Sequence, residues 1–303
     1  MKQTKINPSC PNVPVGHPSM DSRSTSRVID LKRAGMTLFI LICYSTSAFA
    51  GDFDSLFTFL PKQKYVSPFT ANGNEHRISY NKLLNRNSLI GSMGGIFPMA
   101  NIQFKGIDAQ VSIASSIYTF LNSAGIRFQV VNVDFFVDMY ADIKLSPATT
   151  ARIGWGHTSQ HLADDAFESL GYIKSVNYAR DFYQLFCIHQ IPFIKGFVYG
   201  GTYYNYSFLI DKRIDGEFLW EAGGEFLNIP ITGPINFYSA IDIKLRSELA
   251  YGATQSYQTG IKIQNESLNA MRLAYTYRTG IEERGQFYNQ RNNYHTIGMF
   301  FDF

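Results

Sequence analysis

The most constraining feature of this chain is a set of long segments in which apolar and polar side chains alternate. In residues 131–145 the two kinds fall on opposite faces, because successive side chains of a strand point to opposite sides. Residues 235–246 and 269–278 repeat the pattern. Segments of about 10 to 15 residues exceed ordinary strands and fit tilted membrane-crossing strands. The apolar face of the first segment is Val131, Val133, Phe135, Val137, Met139, Ala141, Ile143 and Leu145.

About twelve such segments are predicted, which indicates an all-β fold: a transmembrane antiparallel β-barrel. The longest gaps are predicted to be outer loops, because bacterial barrels have short periplasmic turns and long outer loops. The longest loop covers residues 162–179, and a short turn at the other end covers residues 145–148. The predicted strands are residues 75–83, 87–97, 104–118, 129–145, 149–161, 180–190, 194–208, 215–227, 235–246, 256–264, 268–279 and 292–303.

The last strand carries the most specific signal. Ile297, Met299, Phe301 and Phe303 alternate to a C-terminal aromatic residue. This is the pattern that the barrel-insertion machinery of Gram-negative outer membranes reads. The sequence therefore predicts an outer-membrane location, with that machinery and outer-membrane lipid as partners, and leaves a homo-oligomer open. The alternative is a water-soluble β-sandwich or lipocalin-like barrel, in which the same apolar faces form an enclosed core.

Composition fits a barrel in lipid, and it fits a soluble β-sandwich or lipocalin-like barrel about equally well. Charged residues make up 17% of the chain, against about a quarter in soluble domains, and aromatic residues make up 15%. After residue 50 no apolar run approaches the roughly 20 residues of a membrane helix. The same part holds 21 Lys and Arg against 22 Asp and Glu, and it shows no basic patch suited to nucleic acid.

Residues 1–50 are predicted to be an N-terminal extension and a secretory signal. Basic residues at 32–33 precede a short apolar run over 36–44, and Ala48-Phe49-Ala50 fits a cleavage site. The polar stretch before the signal indicates an over-long start, with Met20 or Met36 as alternatives.

Cleavage would leave two parts. Residues 51–74 are predicted to be a periplasmic or plug-like segment, and residues 75–303 the barrel. Cys187 is then the only cysteine, so no internal disulfide is predicted. The inner face of the predicted strands mixes acids and bases, which favours a charge-paired, plugged lumen over an open pore.

One strand places chemically active residues together. On residues 149–161 the odd-numbered face carries Trp155, His157 and Ser159, and Trp155 suits a membrane interface. A histidine beside a serine is the base that a hydroxyl needs to become a nucleophile. The predicted catalytic pair is therefore His157 and Ser159, and the candidates to orient the imidazole are Asp164, Asp165, Glu168 and Asn177.

Two other interpretations of this stretch remain open. His161, Asp164 and Asp165 are candidate ligands of a metal, and calcium is a possible cofactor, although residues four apart on a strand are about 13 Å apart. Alternatively the motif is structural: the serine ends the strand, and the acids begin a short helix in the loop, where acids favour the first turn.

Three stretches resemble a Gram-negative family known only as a domain of unknown function. Residues 157–165 (His-Thr-Ser-Gln-His-Leu-Ala-Asp-Asp) are similar to its His-x-Ser-Ser-His-Leu-Gly-Asp-Glu motif, with departures at 160, 163 and 165. Phe59-Leu60-Pro61 with Ser67-Pro68-Phe69, and Gly285-Gln286-Phe287-Tyr288, are similar to its two ends. The resemblance implies a barrel-like envelope protein and supplies no activity.

A narrower similarity concerns the pair alone. The His-x-Ser spacing of His157 and Ser159 is similar to that of outer-membrane phospholipase A and the lipid A deacylases. This resemblance implies an acyl-ester hydrolase at the outer leaflet. The alternative is a non-enzymatic envelope barrel with a structural, surface-binding or passive-transport role.

Overall fold

A computed structural model describes residues 56–168, 171 and 174–303. The chain divides into residues 1–53 and 54–303, and the described residues all belong to the second unit. The predicted signal and its cleavage site lie outside the described residues. Among the residues that the structure describes, no helix has the length and hydropathy needed to cross a bilayer.

Fourteen strands are found in the described part of the chain. They are β1 (Phe57–Phe59), β2 (Ile78–Leu83), β3 (Ser88–Phe104), β4 (Ile107–Ala124), β5 (Arg127–Lys144), β6 (Thr149–Leu162), β7 (Tyr178–Ile191), β8 (Gly196–Ile210), β9 (Lys212–Arg213), β10 (Glu217–Thr232), β11 (Ile235–Arg246), β12 (Gly252–Gln264), β13 (Ala270–Ile281) and β14 (Arg291–Asp302). The short strands β1 and β9 pair with β3 and β8.

The other twelve strands form one closed antiparallel barrel. Each pairs with its neighbour along the chain, and β14 returns to pair with β2. Closure gives the strands backbone partners on both sides, which a membrane-crossing sheet requires because hydrocarbon offers no hydrogen bonds. The predicted transmembrane β-barrel of about twelve strands is confirmed.

Two strands continue past points where the sequence predicted their ends. β3 runs through Pro98, and a register shift between Pro98 and Ala100 forms a bulge there. β10 has a similar irregularity at Pro230. Because proline cannot donate to the strand ladder, a bulge is where a strand tolerates it. The actual turn after β3 is Lys105-Gly106, where both residues have positive φ, as a two-residue hairpin turn requires.

Side chains alternate between lumen and outside as predicted. On β5, Val137 and Met139 are exposed outward, whereas Asp134 and Asp142 are buried. An apolar surface of this extent around a whole barrel is that of an outer-membrane-type protein and not of a water-soluble sandwich. The large outward side chains include Met93, Phe97, Phe135, Val137, Met139, Ile153, Leu185, Trp220, Met271, Leu273, Ile297 and Met299.

Val131 departs from this alternation. The sequence predicted it on the outward face, but it is 1% exposed and packs with Leu83 and Phe120. A register shift in the β4–β5 pair leaves Val131 without a partner, so its side chain turns inward.

Residues 64–77, here called the luminal segment, fill the interior. Their side chains bond to inward-facing groups on opposite sides of the barrel. Thr70 donates to Glu225 (2.6 Å), Asn72 donates to Glu221 (2.9 Å), His76 pairs with Asp138 (3.0 Å) and Arg77 pairs with Asp302 (3.4 Å). Because these acceptors belong to β10, β5 and β14, the segment connects distant parts of the wall.

The two ends of the barrel differ. One end, here the long-loop end, has the connections 163–177, 211–216 and 282–290. The other end has only short turns, of which Lys105-Gly106 is one. The described helix α1 (Asp164–Glu168) lies in the first long loop, and single 3-10 turns occur at Pro192–Ile194, Ser247–Leu249 and Gly285–Phe287.

Candidate functional site

Strand β6 presents the predicted catalytic pair on its outward face. His157 and Ser159 are partly exposed, whereas Thr158 between them is fully buried on the luminal side. β5 and β7 pair with β6 on its two edges and keep this orientation. The pair therefore faces the barrel's surroundings, as the alternation predicted.

Asp181 of β7 lies beside the imidazole. It is the register partner of His157, and its Oδ1 is 2.6 Å from His157 Nδ1. When Nδ1 donates its proton to the carboxylate, Nε2 is left as the basic nitrogen. The two side chains are 40% and 32% exposed, so the contact is open to the outside.

Ser159 lies two residues from His157 toward the long-loop end. Its register partners are Phe135 and the small Ala179, and Ser159 itself is partly exposed. Alternate Cα atoms on a strand are about 7 Å apart, within reach of a serine hydroxyl and an imidazole that turn toward each other. Among the described residues, no hydrogen bond joins Ser159 to His157, so this approach requires a rotamer change.

Aromatic side chains lie next to the pair on the outward face, on the side away from the long loops. Trp155 donates its indole N–H to the Tyr206 hydroxyl at 2.8 Å. The ring of Tyr183 stacks on Tyr206 with centroids 4.8 Å apart. Trp and Tyr mark the border between hydrocarbon and headgroups in transmembrane proteins. His157 follows Trp155 on the side of the long loops.

The residues predicted to orient His157 have other positions. Asp164 and Asp165 begin α1, and Asp165 Oδ2 accepts the Val130 N–H at 2.9 Å. Glu168 is exposed at the end of α1, and Asn177 donates its backbone N–H to Asp211 at 2.9 Å. None of the four bonds to His157 in the described part of the chain.

Asp181 is unusual for its place in the sequence pattern of β7. The acid stands on the outward face of β7 between Ala179 and Tyr183, where an apolar residue is expected. Its position opposite His157 depends on the β6–β7 register, and a long loop between two strands hides that register.

The predicted metal ligands do not form a site. Within residues that the structure describes, no three or more His, Cys, Asp or Glu side chains are placed to hold an ion. The ring of His161 instead packs against Phe135, with centroids 6.1 Å apart.

A second serine–histidine–aspartate set lies in the lumen. His76 Nδ1 is 3.1 Å from Ser116 Oγ, and His76 Nε2 is 3.0 Å from Asp138 Oδ2. Ser116 is 3% exposed and lines none of the cavities beside it. This set holds the luminal segment against β4 and β5 and offers no room for a substrate.

Glu282, in the loop after β13, has a strongly lowered pKa. Burial alone would raise the pKa of Glu282, but Arg284 at 2.5 Å and Asn292 at 3.0 Å hold this pKa at about 2. The adjacent Glu283 contacts Lys244 at 2.5 Å and Arg278 at 2.8 Å. These ion pairs fix the loop over the mouth of the barrel.

Glu282→Gln is expected to destabilise the protein at neutral pH and much less at acidic pH. A carboxyl whose pKa is lowered on folding contributes stability above its unfolded pKa and loses it as the pH falls toward about 2. The expected loss at pH 7 is on the order of 2–3 kcal/mol. Denaturant unfolding of both proteins between pH 7 and pH 2.5 measures it. A stability difference that stays constant with pH would contradict the prediction.

Solved structures with a similar chain path are outer-membrane proteins. Two crystal structures of OprD from Pseudomonas aeruginosa match with 7% sequence identity each. The first has a TM-score of 0.30 over 71% of this chain and 74% of that one, and the second a TM-score of 0.28 over 70% and 76%.

Sequence comparison defines the family. No curated protein matches the chain. The resemblance to a domain of unknown function, predicted from the motifs, is confirmed over nearly the whole barrel. The chain belongs to the family described as "Protein of unknown function (DUF1207)", which matches residues 60–303.

Proposed function

We propose that this protein is a lipid acyl-ester hydrolase of the outer membrane, with Ser159 as nucleophile and His157 as general base. The observation that carries the proposal is the 2.6 Å contact between His157 and Asp181 on the outward-facing surface of the barrel. An imidazole held by a carboxylate, with a serine two residues away on the same face of the strand, has the parts of an acyl-transfer site.

The reaction needs three roles. His157 Nε2 takes the proton of Ser159 Oγ as that oxygen bonds to the ester carbonyl carbon. The bond from this carbon to the alcohol oxygen then breaks, and the alcohol leaves with the proton from the imidazole. Water then attacks the acyl-serine with the same proton transfers through His157, and a fatty acid is released. Asp181 orients the ring and stabilises its protonated form.

The position of the pair suits a lipid ester. Ester groups of membrane lipids lie where hydrocarbon meets headgroups, and Trp155, Tyr183 and Tyr206 have the composition of an interface belt. His157 and Ser159 are next to these rings on the side of the long loops, which face outward in bacterial barrels. The proposed substrate is therefore an acyl ester of the outer leaflet.

In this proposal the luminal segment acts as a plug of the barrel. The cavities beside the luminal segment have volumes of about 20–50 Å³, enough for a few water molecules each. A filled lumen supports a reaction at the outer surface over passive transport through the barrel. It equally favours the second candidate, a non-enzymatic envelope barrel in which the plug is purely structural.

Covalent labelling tests the proposal. Refolded protein in mixed micelles is treated with a lipophilic fluorophosphonate, and the modified peptide is found by mass spectrometry. Label is expected on Ser159, and it is expected to disappear in His157→Ala. Ser207→Ala is the matched control, because Ser207 is the partner of Asp181 on its other edge. No label on Ser159, together with no release of fatty acid from phospholipid or lipid A, would favour the non-enzymatic barrel.

A further inference from the structure

A small cavity lies inside the barrel at the long-loop end. Its wall is formed by the first residues of β7 and β12, the last residues of β11, the loop after β13 and the luminal segment. Its volume of about 50 Å³ has room for a group of a few atoms. It is on the opposite side of the barrel wall from His157 and Ser159, so it is separate from the proposed catalytic pair.

Most charged groups that line this cavity have partners. Asp138 pairs with His76, and Lys244 pairs with Glu283 at 2.5 Å. Glu221 accepts hydrogen bonds from Asn72 and Tyr203, at 2.9 and 3.0 Å. The acidic side of the cavity is thus already satisfied by neighbouring groups.

Arg180 is the exception among the charged lining residues that the structure describes. Its guanidinium lies 5.4 Å from the centre of the Phe182 ring, and no hydrogen bond or ion pair joins it to another residue that the structure describes. Its Nε is buried without a hydrogen-bond partner, although the residue as a whole is partly exposed and can be reached by solvent. A buried cationic donor without an acceptor is costly unless something else accepts from it.

Two neighbouring residues also have a buried polar atom without a hydrogen-bond partner in the described part of the chain. Arg246, 4% exposed, also lines the cavity. Its Nη2 donates to the backbone carbonyls of Glu282 and Tyr288 at 3.0 and 2.8 Å, but its Nε has no hydrogen-bond partner among the described residues. Thr158, the register partner of Arg180 on β6, has a buried hydroxyl without a partner. Glu248 Oε1 is 3.8 Å from Arg246 Nε, and within the described residues neither oxygen of this carboxyl group accepts a hydrogen bond.

We propose that this cavity binds a small monocarboxylate, held by Arg180 with Arg246 beside it. A planar guanidinium offers two parallel N–H groups that match the two oxygens of a carboxylate. The cavity is too small for more than a short chain behind that group. The carboxylates of Glu221 and Glu283 on the same wall disfavour an anion with two negative charges, such as phosphate.

Calorimetric titration of sodium acetate into the refolded full chain at low ionic strength tests the site. Arg180→Gln is expected to weaken binding at least about tenfold, because a charge-assisted hydrogen bond is lost. Glu248→Gln is expected to strengthen it, because a competing negative charge near Arg246 and Arg180 is removed. If Arg180 had only a structural role, Arg180→Gln and Glu248→Gln would not change acetate binding in opposite directions.

Arg213→Gln is the matched control. Arg213 is an exposed arginine at the same end of the barrel, paired with Asp215, and its loss is expected to leave acetate binding unchanged. Absence of acetate binding to the unsubstituted protein would overturn the proposal, as would equal losses in Arg180→Gln and Arg213→Gln. Tighter binding of inorganic phosphate than of acetate would overturn the assignment to a monocarboxylate.

Discussion

Ser159→Ala is expected to lower the rate of lipid ester hydrolysis at least about 1,000-fold, because the oxygen that attacks the ester is removed. His157→Ala is expected to cause a loss of the same order, since a serine hydroxyl without its base is a weak nucleophile. The double variant is expected to be no slower than either single one, because the two side chains act as a unit. Release of fatty acid from phospholipid and from lipid A, with and without calcium, measures all three.

Asp181→Asn separates catalysis from folding. The amide keeps the size of the side chain but cannot stabilise the imidazolium, so a smaller loss of kcat is expected. Heat-modifiable gel mobility is expected to stay unchanged in every variant, because all three side chains are on the partly exposed outer face. Full activity of Ser159→Ala would refute the proposed nucleophile, and loss of activity in Ser207→Ala would point to the neighbouring strand.

Arg272→Ala is expected to lower the free energy of unfolding by about 3–5 kcal/mol, the usual cost of breaking a buried ion pair. Arg272 is 1% exposed and donates to both oxygens of Asp302, at 2.8 and 3.0 Å. It also donates to the Thr70 carbonyl at 3.2 Å, so it ties β13 and β14 to the luminal segment. Arg77, 3.4 Å from Asp302, still offsets part of the uncompensated charge.

Denaturant unfolding in detergent, followed by tryptophan fluorescence, measures this loss. Lys174→Ala is the matched control, because Lys174 forms an ion pair with Asp211 on the exposed surface of the same chain. Its unfolding midpoint is expected to match that of the unsubstituted protein, since exposed ion pairs contribute little. Equal midpoints for Arg272→Ala and Lys174→Ala would show that the luminal network adds no stability.

The fold could be predicted from the sequence because membrane strands alternate at a fixed period. The pattern predicted twelve strands and the side to which Met139 or Leu273 points. It failed locally at Pro98 and Val131, where a bulge shifts the register by one residue. Bulges depend on both partners of a strand pair, so one strand's pattern does not reveal them.

The candidate site was predictable only in part. His157 and Ser159 are two residues apart on one strand, so their shared face follows from the sequence alone. Asp181 comes from the next strand after a long loop, and only the register of β6 with β7 brings it to His157. The contacts of the luminal segment, such as Thr70 with Glu225, join residues far apart in sequence and have no local pattern.

Lipid is expected to cover the outward side chains of the barrel. The chain has two tryptophans, and both point outward: Trp155 in the middle of β6 and Trp220 near the long-loop end of β10. Fluorescence of the protein refolded into vesicles of brominated phosphatidylcholine tests this directly. Strong quenching by the brominated lipid is expected, with little quenching by aqueous acrylamide. Strong quenching by acrylamide and none by the brominated lipid would contradict the account.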